Sequence, residues 1–178
     1  GEHLRANSWP NTPDILTAEL QQGVRPVYVA RLVLAATLTA NYGIYGPPFE
    51  LMESLARPGA EEYLDSEKYQ LRAWQLDQPW SLRHEITRVN EIRRRHRALQ
   101  HDRTLVFHHC DDDAIVAYSK TAPDRLRPAG DDTCDDPILV VASTDHWNVR
   151  SGTVRLDLSA LGTPDDGRWD HYEAHDLF

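Results

Sequence analysis

Pro26-Val-Tyr-Val-Ala-Arg-Leu-Val-Leu-Ala-Ala-Thr-Leu-Thr-Ala40, followed at once by Asn41-Tyr-Gly-Ile-Tyr-Gly46, is the stretch that decides the fold class. Val27, Ala30, Leu34 and Leu38 share one helical face, and the run is apolar nearly all round. That pattern predicts a helix buried against a larger body. Pro26 suits the first helical turn, where its missing N–H costs nothing. Tyr42 to Gly46 is short, β-prone and bounded by Gly and by Pro47-Pro48, so it predicts a buried strand. Neither element buries itself alone, and no other segment reads as their partner. The sequence therefore predicts a piece of a larger body.

Upstream, Leu16 to Gln22 reads as a short helix with Asp14 or Thr12 as N-cap, broken by Gly23. Downstream, residues 47–79 show little periodicity. Loops longer than about 15 residues are usually functional or disordered, and Tyr63, Tyr69 and Trp74 favour an ordered functional loop. Ser81 to Leu99 is the clearest helix, with Leu82, Ile86, Val89 and Ile92 in register. Ser81 is its expected N-cap, and Glu85 stands close to the capping-box position. The basic run Arg93, Arg94, Arg95, His96 and Arg97 suits the negative pole of the helix dipole and reads as a solvated helix end.

Near residue 100 the chain changes character. Thr104–His108, Ala114–Tyr118, Pro137–Ala142, Thr153–Leu158 and His171–His175 are candidate strands at hairpin-like spacing. Asp111-Asp112-Asp113 falls between the first two and reads as a solvated turn. Residues 121–136, rich in Pro, Asp and Arg, read as an exposed loop. The expected organisation is a helix–strand–helix unit over 1–100 and an antiparallel β domain over 101–178.

Composition narrows the function. The 178 residues are 40% hydrophobic, enough for a packed core, and carry a formal net charge of -9, which argues against a nucleic-acid partner. No apolar stretch approaches the roughly 20 residues that span a bilayer. The opening Gly1-Glu2-His3 has neither an initiator Met nor a signal-peptide core, which suggests a piece of a longer chain. Cys110 and Cys134 form no CxxC and read as free cytosolic thiols. His108-His109 and His84-Glu85 lack metal-ligand spacing, so neither a metal nor a cofactor is expected.

Two groups carry candidate chemistry. Trp9-Pro-Asn-Thr-Pro-Asp14 places an acid beside a strand-to-helix junction. In an α/β barrel, such loops hold the active site, and a carboxylate there stabilises positive charge developing on a sugar ring. The competing reading is Asp14 as a helix N-cap. In Glu61-Glu-Tyr-Leu-Asp-Ser-Glu-Lys-Tyr69, Lys68 offers a point charge for an anion and Tyr69 a hydroxyl donor. The competing reading there is a surface salt bridge among carboxylates.

Ala6-Asn-Ser-Trp-Pro-Asn-Thr-Pro-Asp-Ile-Leu16, the 33–51 helix and strand, Arg57-Pro-Gly-Ala-Glu-Glu-Tyr-Leu-Asp-Ser-Glu-Lys-Tyr-Gln-Leu-Arg72 and Ile86-Thr-Arg-Val-Asn-Glu-Ile-Arg-Arg-Arg-His-Arg-Ala-Leu-Gln100 together resemble the end of an α-amylase-superfamily enzyme. Within that superfamily they are most similar to the bacterial maltosyltransferases that use maltose 1-phosphate. The resemblance implies an α/β plus all-β fold. Residues 1–100 are then the last part of a (β/α)8 barrel, from the end of strand seven to helix eight, and 101–178 a C-terminal, truncated β-sandwich. It implies that Asp14 is the transition-state stabiliser, standing where the superfamily has Asn-His-Asp, and that Lys68 and Tyr69 hold the donor's phosphate. It further implies maltose 1-phosphate and an α-1,4-glucan as substrates, a cytoplasmic, homodimeric whole enzyme, and a nucleophile and an acid/base lying upstream of this chain, so that the chain alone is inactive. One departure is Tyr45-Gly-Pro-Pro-Phe-Glu50, where the family's segment ends Tyr-Ser-Gly-Tyr-Glu or similar. The alternatives are another α-glucan enzyme (amylase, branching enzyme or trehalose synthase) and a non-catalytic glucan-binding β-module. For the last, Trp147 and Trp169 are the available aromatics, both expected to be partly core.

Overall fold

The computed structural model describes residues 5–65, 70–123, 136–162 and 172–178. Strand β1 (Asn7–Ser8) pairs in parallel with β2 (Asn41–Tyr42), in the register Asn7 to Asn41 and Ser8 to Tyr42. Parallel strands need a long crossover, and helix α1 (Arg25–Leu38) supplies it, with Pro26 in its first turn. The strand is shorter than the sequence predicts. Pro47 and Pro48 have φ angles preset for a helical first turn, so helix α2 (Gly46–Glu50) begins where the strand was expected to end.

Helix α1 is apolar all round because it serves two cores. Val27, Tyr28, Leu32 and Ala36 join Leu16, Leu20, Phe49, Tyr63, Leu82 and Val89 in the first. Val33, Leu34 and Leu38 pack against Ile92, Ala98, Leu99, Tyr118, Ile138 and Val140 in the second. The expectation that α1 and β2 have no packing partners in this chain is thus corrected. Helix α3 (Arg83–Arg95) covers one side of α1 and the later sheet another. Full burial of each such Val or Leu contributes about 1.5–3 kcal/mol.

Two predicted caps are revised. The helix expected over Leu16–Gln22 is only a 3₁₀ turn at Leu20–Gln22, closed by Gly23 in the left-handed region at φ 67°. Its N-cap position is Glu19. Thr12 and Ile15 instead exchange two backbone hydrogen bonds of 3.2 Å, which turns the chain before any helix starts. Asp14 is therefore not a helix N-cap. At α3, Leu82 occupies the N-cap, although the Ser81 hydroxyl accepts the Arg83 N–H at 3.2 Å and donates to Glu50 at 2.9 Å. Glu85 pairs with Arg25 rather than reaching back to complete a capping box.

The C-terminal end of α1 overturns another reading. Arg93 is not part of a solvated helix end. Its guanidinium donates to the carbonyls of Ala36, Thr39 and Ala40, the last at 2.7 Å, and lies 4.8 Å from the centre of the Tyr42 ring. Lys120, with no exposed surface, donates to the Thr37 carbonyl at 3.3 Å, and Asp102 accepts the Ala40 N–H. Helix C-termini offer unpaired carbonyls, and these cations satisfy them. Arg94 and Arg95 are exposed, as expected.

After residue 100 a four-stranded antiparallel sheet runs in the order β5-β4-β3-β6. Its strands are β3 (Val106–Cys110), β4 (Ile115–Lys120), β5 (Ile138–Ser143) and β6 (Val154–Arg155). The fifth candidate strand does not form: residues 172–175 have no regular structure, and His171 lies outside the described residues. The Asp111–Asp113 turn joins β3 to β4. Asp112 accepts the Ala114 N–H at 2.9 Å and pairs with Arg150 at 2.8 Å, and the Arg150 hydrogen bond holds its carboxyl below the ordinary value. Trp147, expected to be partly core, is 68% exposed, while Trp169 and Cys134 lie outside the described residues. Cys110 is a buried free thiol. Among the described residues, no helix is long and apolar enough to cross a membrane.

Candidate functional site

The loops beyond the C-terminal ends of β1 and β2 meet at Asn11. Gly43 N–H donates to the Ser8 carbonyl at 2.9 Å, carrying the β1–β2 ladder one step past the strands. Pro10 has no N–H with which to continue it. The Asn11 side chain takes over. Its Oδ1 accepts the Tyr45 N–H at 3.0 Å, and its Nδ2 donates to the Tyr45 carbonyl at 3.2 Å and to the Tyr63 hydroxyl at 2.8 Å. Asn11 is only 2% exposed.

From Asn11 the chain enters the Thr12–Ile15 turn. Pro13 and Asp14 are its two central residues, and Pro at the first of these presets φ. Asp14 stands exposed at the corner. The far side of the turn is also tied down. Leu16 N–H donates to the Glu61 carbonyl and Ala18 N–H to the Glu61 carboxylate, both at 2.8 Å. Gln21 donates to the Ala60 carbonyl at 3.1 Å.

The loop that receives these bonds folds back on itself. Ala56 bridges Tyr63, Arg57 N–H reaches the Glu62 carbonyl at 2.9 Å, and Leu64 N–H reaches the Leu55 carbonyl at 2.9 Å. Tyr63 is buried, edge-on to Tyr45 with ring centres 5.7 Å apart. Burial pushes its hydroxyl up to about 12. The sequence-predicted residues Lys68 and Tyr69, five and six positions beyond Tyr63 in the sequence, lie outside the described residues. Beyond them, Arg72 stacks over Trp74 at 3.9 Å and pairs with Glu53 at 3.1 Å.

On the strand side, Trp9 is 44% exposed and its indole lies against Gly43. A β-carbon at position 43 would stand 2.4 Å from the ring, so only glycine admits this contact. The sequence marks Asn11 only as the start of the segment that stands where the superfamily has Asn-His-Asp, with no role of its own, and Tyr63 only as one aromatic of a long loop. An Asn before a Pro-containing turn gives no signal of burial, because its worth depends on a tyrosine 52 residues away. Among the described residues, no three His, Cys, Asp or Glu side chains come together as a metal group would.

Residues 107–178 match the family described as GLGE, C-terminal. The chain is 43% identical over 174 residues to the α-1,4-glucan:maltose-1-phosphate maltosyltransferase of Chlorobaculum tepidum, covering 94% of this chain and 25% of that protein. With the maltosyltransferase of Salinibacter ruber it shares 42% over 176 residues, 99% of this chain and 24% of that one. With that of Mycobacterium tuberculosis it shares 44% over 173 residues, 94% of this chain and 23% of that one. The chain thus spans about a quarter of the length of the curated relatives it matches. These identities mean that the chain belongs to the α-1,4-glucan:maltose-1-phosphate maltosyltransferase family, corresponding to a C-terminal portion of its members.

Proposed function

We propose that this chain supplies one side of the active site of a retaining maltosyltransferase, which moves maltosyl units from maltose 1-phosphate to the non-reducing end of an α-1,4-glucan. In this reading residues 1–100 are the end of a (β/α)8 barrel, with β1 and β2 as its strands seven and eight. Residues 101–178 belong to a β-sandwich of which β3–β6 form one sheet. The order β1-α1-β2-α2-α3 with parallel pairing of β1 and β2 supports the barrel assignment.

The observation that carries the reading is the position of Asp14. It is an exposed carboxylate at the corner of a turn beyond the C-terminal end of a parallel strand, where barrel enzymes keep their chemistry. A carboxylate from elsewhere in the whole protein attacks the anomeric carbon as the acid/base protonates the departing phosphate oxygen, the bond to that oxygen breaks and inorganic phosphate leaves. The acceptor hydroxyl then displaces that carboxylate and gives its proton to the acid/base. Asp14 stabilises the positive charge that builds on the sugar ring in both steps. Lys68 and Tyr69 provide a cation and a hydroxyl donor for the phosphate. The chain by itself is then inactive, since nucleophile and acid/base come from outside it.

The test uses the full-length protein, with phosphate release from maltose 1-phosphate as readout. Asp14→Asn should lower kcat at least about 100-fold with an unchanged far-UV circular dichroism spectrum. Turnover within twofold of wild type sinks the assignment. Lys68→Ala should raise KM for maltose 1-phosphate more than for the acceptor, and an equal rise for both argues against a phosphate role. A second reading, glucan holding by the sheet domain, is favoured by the exposure of Trp147. It requires that Trp147→Ala weaken glycogen binding while leaving turnover on short acceptors intact.

A further inference from the structure

We propose that Asn11 is a positioning residue, which fixes the corner carrying Asp14 by bonding at once to the loop after β2 and to Tyr63. The inference rests on the reading of Asp14 as the charge-stabilising carboxylate.

The geometry is specific. Both Nδ2 hydrogens and Oδ1 of Asn11 are engaged, on Tyr45 N–H, the Tyr45 carbonyl and the Tyr63 hydroxyl. The side-chain amide thus does what a backbone peptide does in a ladder, at the step where Pro10 prevents the backbone from doing it. Residues 12–15 close on themselves directly after Asn11, and Leu16 is bonded to Glu61 directly after that turn. Asp14 is therefore held from both sides, and Asn11 is the only one of these anchors that is a buried side chain of the same short segment. Without it, the turn keeps its own two hydrogen bonds but loses its orientation towards the ends of the strands. Displacing a catalytic group by about 1 Å can cost on the order of 100-fold in rate.

The experiment uses the full-length enzyme with maltose 1-phosphate and a maltooligosaccharide acceptor. Asn11→Ala should lower kcat about 30- to 100-fold, with KM for maltose 1-phosphate changing less than about threefold. Tyr63→Phe keeps the ring and both Tyr45 bonds, so it should lower kcat by about 5- to 10-fold in the same pattern. Rates are taken per folded molecule, from thermal unfolding of the same samples, since a purely structural role would leave them unchanged. If Asn11→Ala does not fold, Tyr63→Phe decides. Normal kcat per folded molecule in the decisive variant, or a rise in KM alone, overturns the positioning role provided that Asp14→Asn is inactive. An active Asp14→Asn overturns the underlying reading instead. In the Asp14→Asn background, Tyr63→Phe should cause no further loss.

Discussion

The loops around Asn11 and the C-terminal end of α1 both bury polar groups, but they satisfy them with different chemistry. At the loop end the partners are neutral: one amide, one phenol and backbone groups of both kinds. At the helix end they are charged: the cations Arg93 and Lys120 face the carbonyls of residues 36, 37, 39 and 40, and the Asp102 carboxylate accepts the Ala40 N–H. A loop exposes donors and acceptors together, and an amide matches both. A helix C-terminus exposes acceptors only and carries a partial negative charge, so donor-only, positively charged side chains fit it. The difference separates an end built for orientation from an end built to fasten the sheet to the helices. It also sets which end responds to pH.

The largest stability effect belongs to the helix end. Arg93→Met removes the donor from three carbonyls in one substitution. Leaving buried acceptors unpaired costs more than the hydrogen bonds themselves contribute, and a loss of about 3 kcal/mol is expected in urea unfolding. A loss under about 1 kcal/mol would break the comparison, because the helix end would then be no more dependent on its side chains than the loop end.

Lys120 sharpens the comparison through pH. Burial holds its amine down at about 8, against an ordinary 10.5. Below pH 8 the folded and unfolded chains both carry the proton, and the fold bears the full cost of the buried charge. Between 8 and 10.5 the folded protein releases the proton while the unfolded chain still holds it, so stability rises with pH. Wild type should gain stability relative to Lys120→Met across that window. Near pH 7 the two should be within about 1 kcal/mol, since exchanging a buried charge for an apolar chain of similar volume is often neutral. A pH-independent difference would mean that Lys120 does not titrate inside the fold.

The same contrast explains what could be read from the sequence. Helix α1 was legible because its composition is dictated by two cores at once, and α3 because Leu82, Ile86, Val89 and Ile92 repeat at helical spacing. The cores of β3, β4 and β5 were legible as short β-prone runs between turns. Arg93 was misread because nothing in five consecutive basic positions shows which one points at another helix. Strand β1, with two residues, is too short to carry a pattern. The turn that carries Asp14 shows itself locally through Asn-Thr-Pro-Asp, whereas Asn11 meets Tyr45 and Tyr63 34 and 52 residues away, and pairings that distant leave no local trace.

The smallest expected effect lies at the loop end. Tyr63→Phe deletes one neutral hydrogen bond and leaves Asn11 bonded to Tyr45, so the loss in stability should be about 1 kcal/mol. With the Tyr63 hydroxyl up at about 12 and the Asn11 amide uncharged, that loss should be the same at pH 5 as at pH 9. Lys120→Met should differ from wild type by a changing amount above pH 8. Unfolding both variants across pH places the two ends on one plot. If the Tyr63→Phe line slopes while the Lys120→Met line stays flat, charge and neutrality are assigned to the wrong ends. If only the Lys120→Met line slopes, the loop end keeps its geometry without depending on proton uptake, and charge and neutrality are assigned to the right ends.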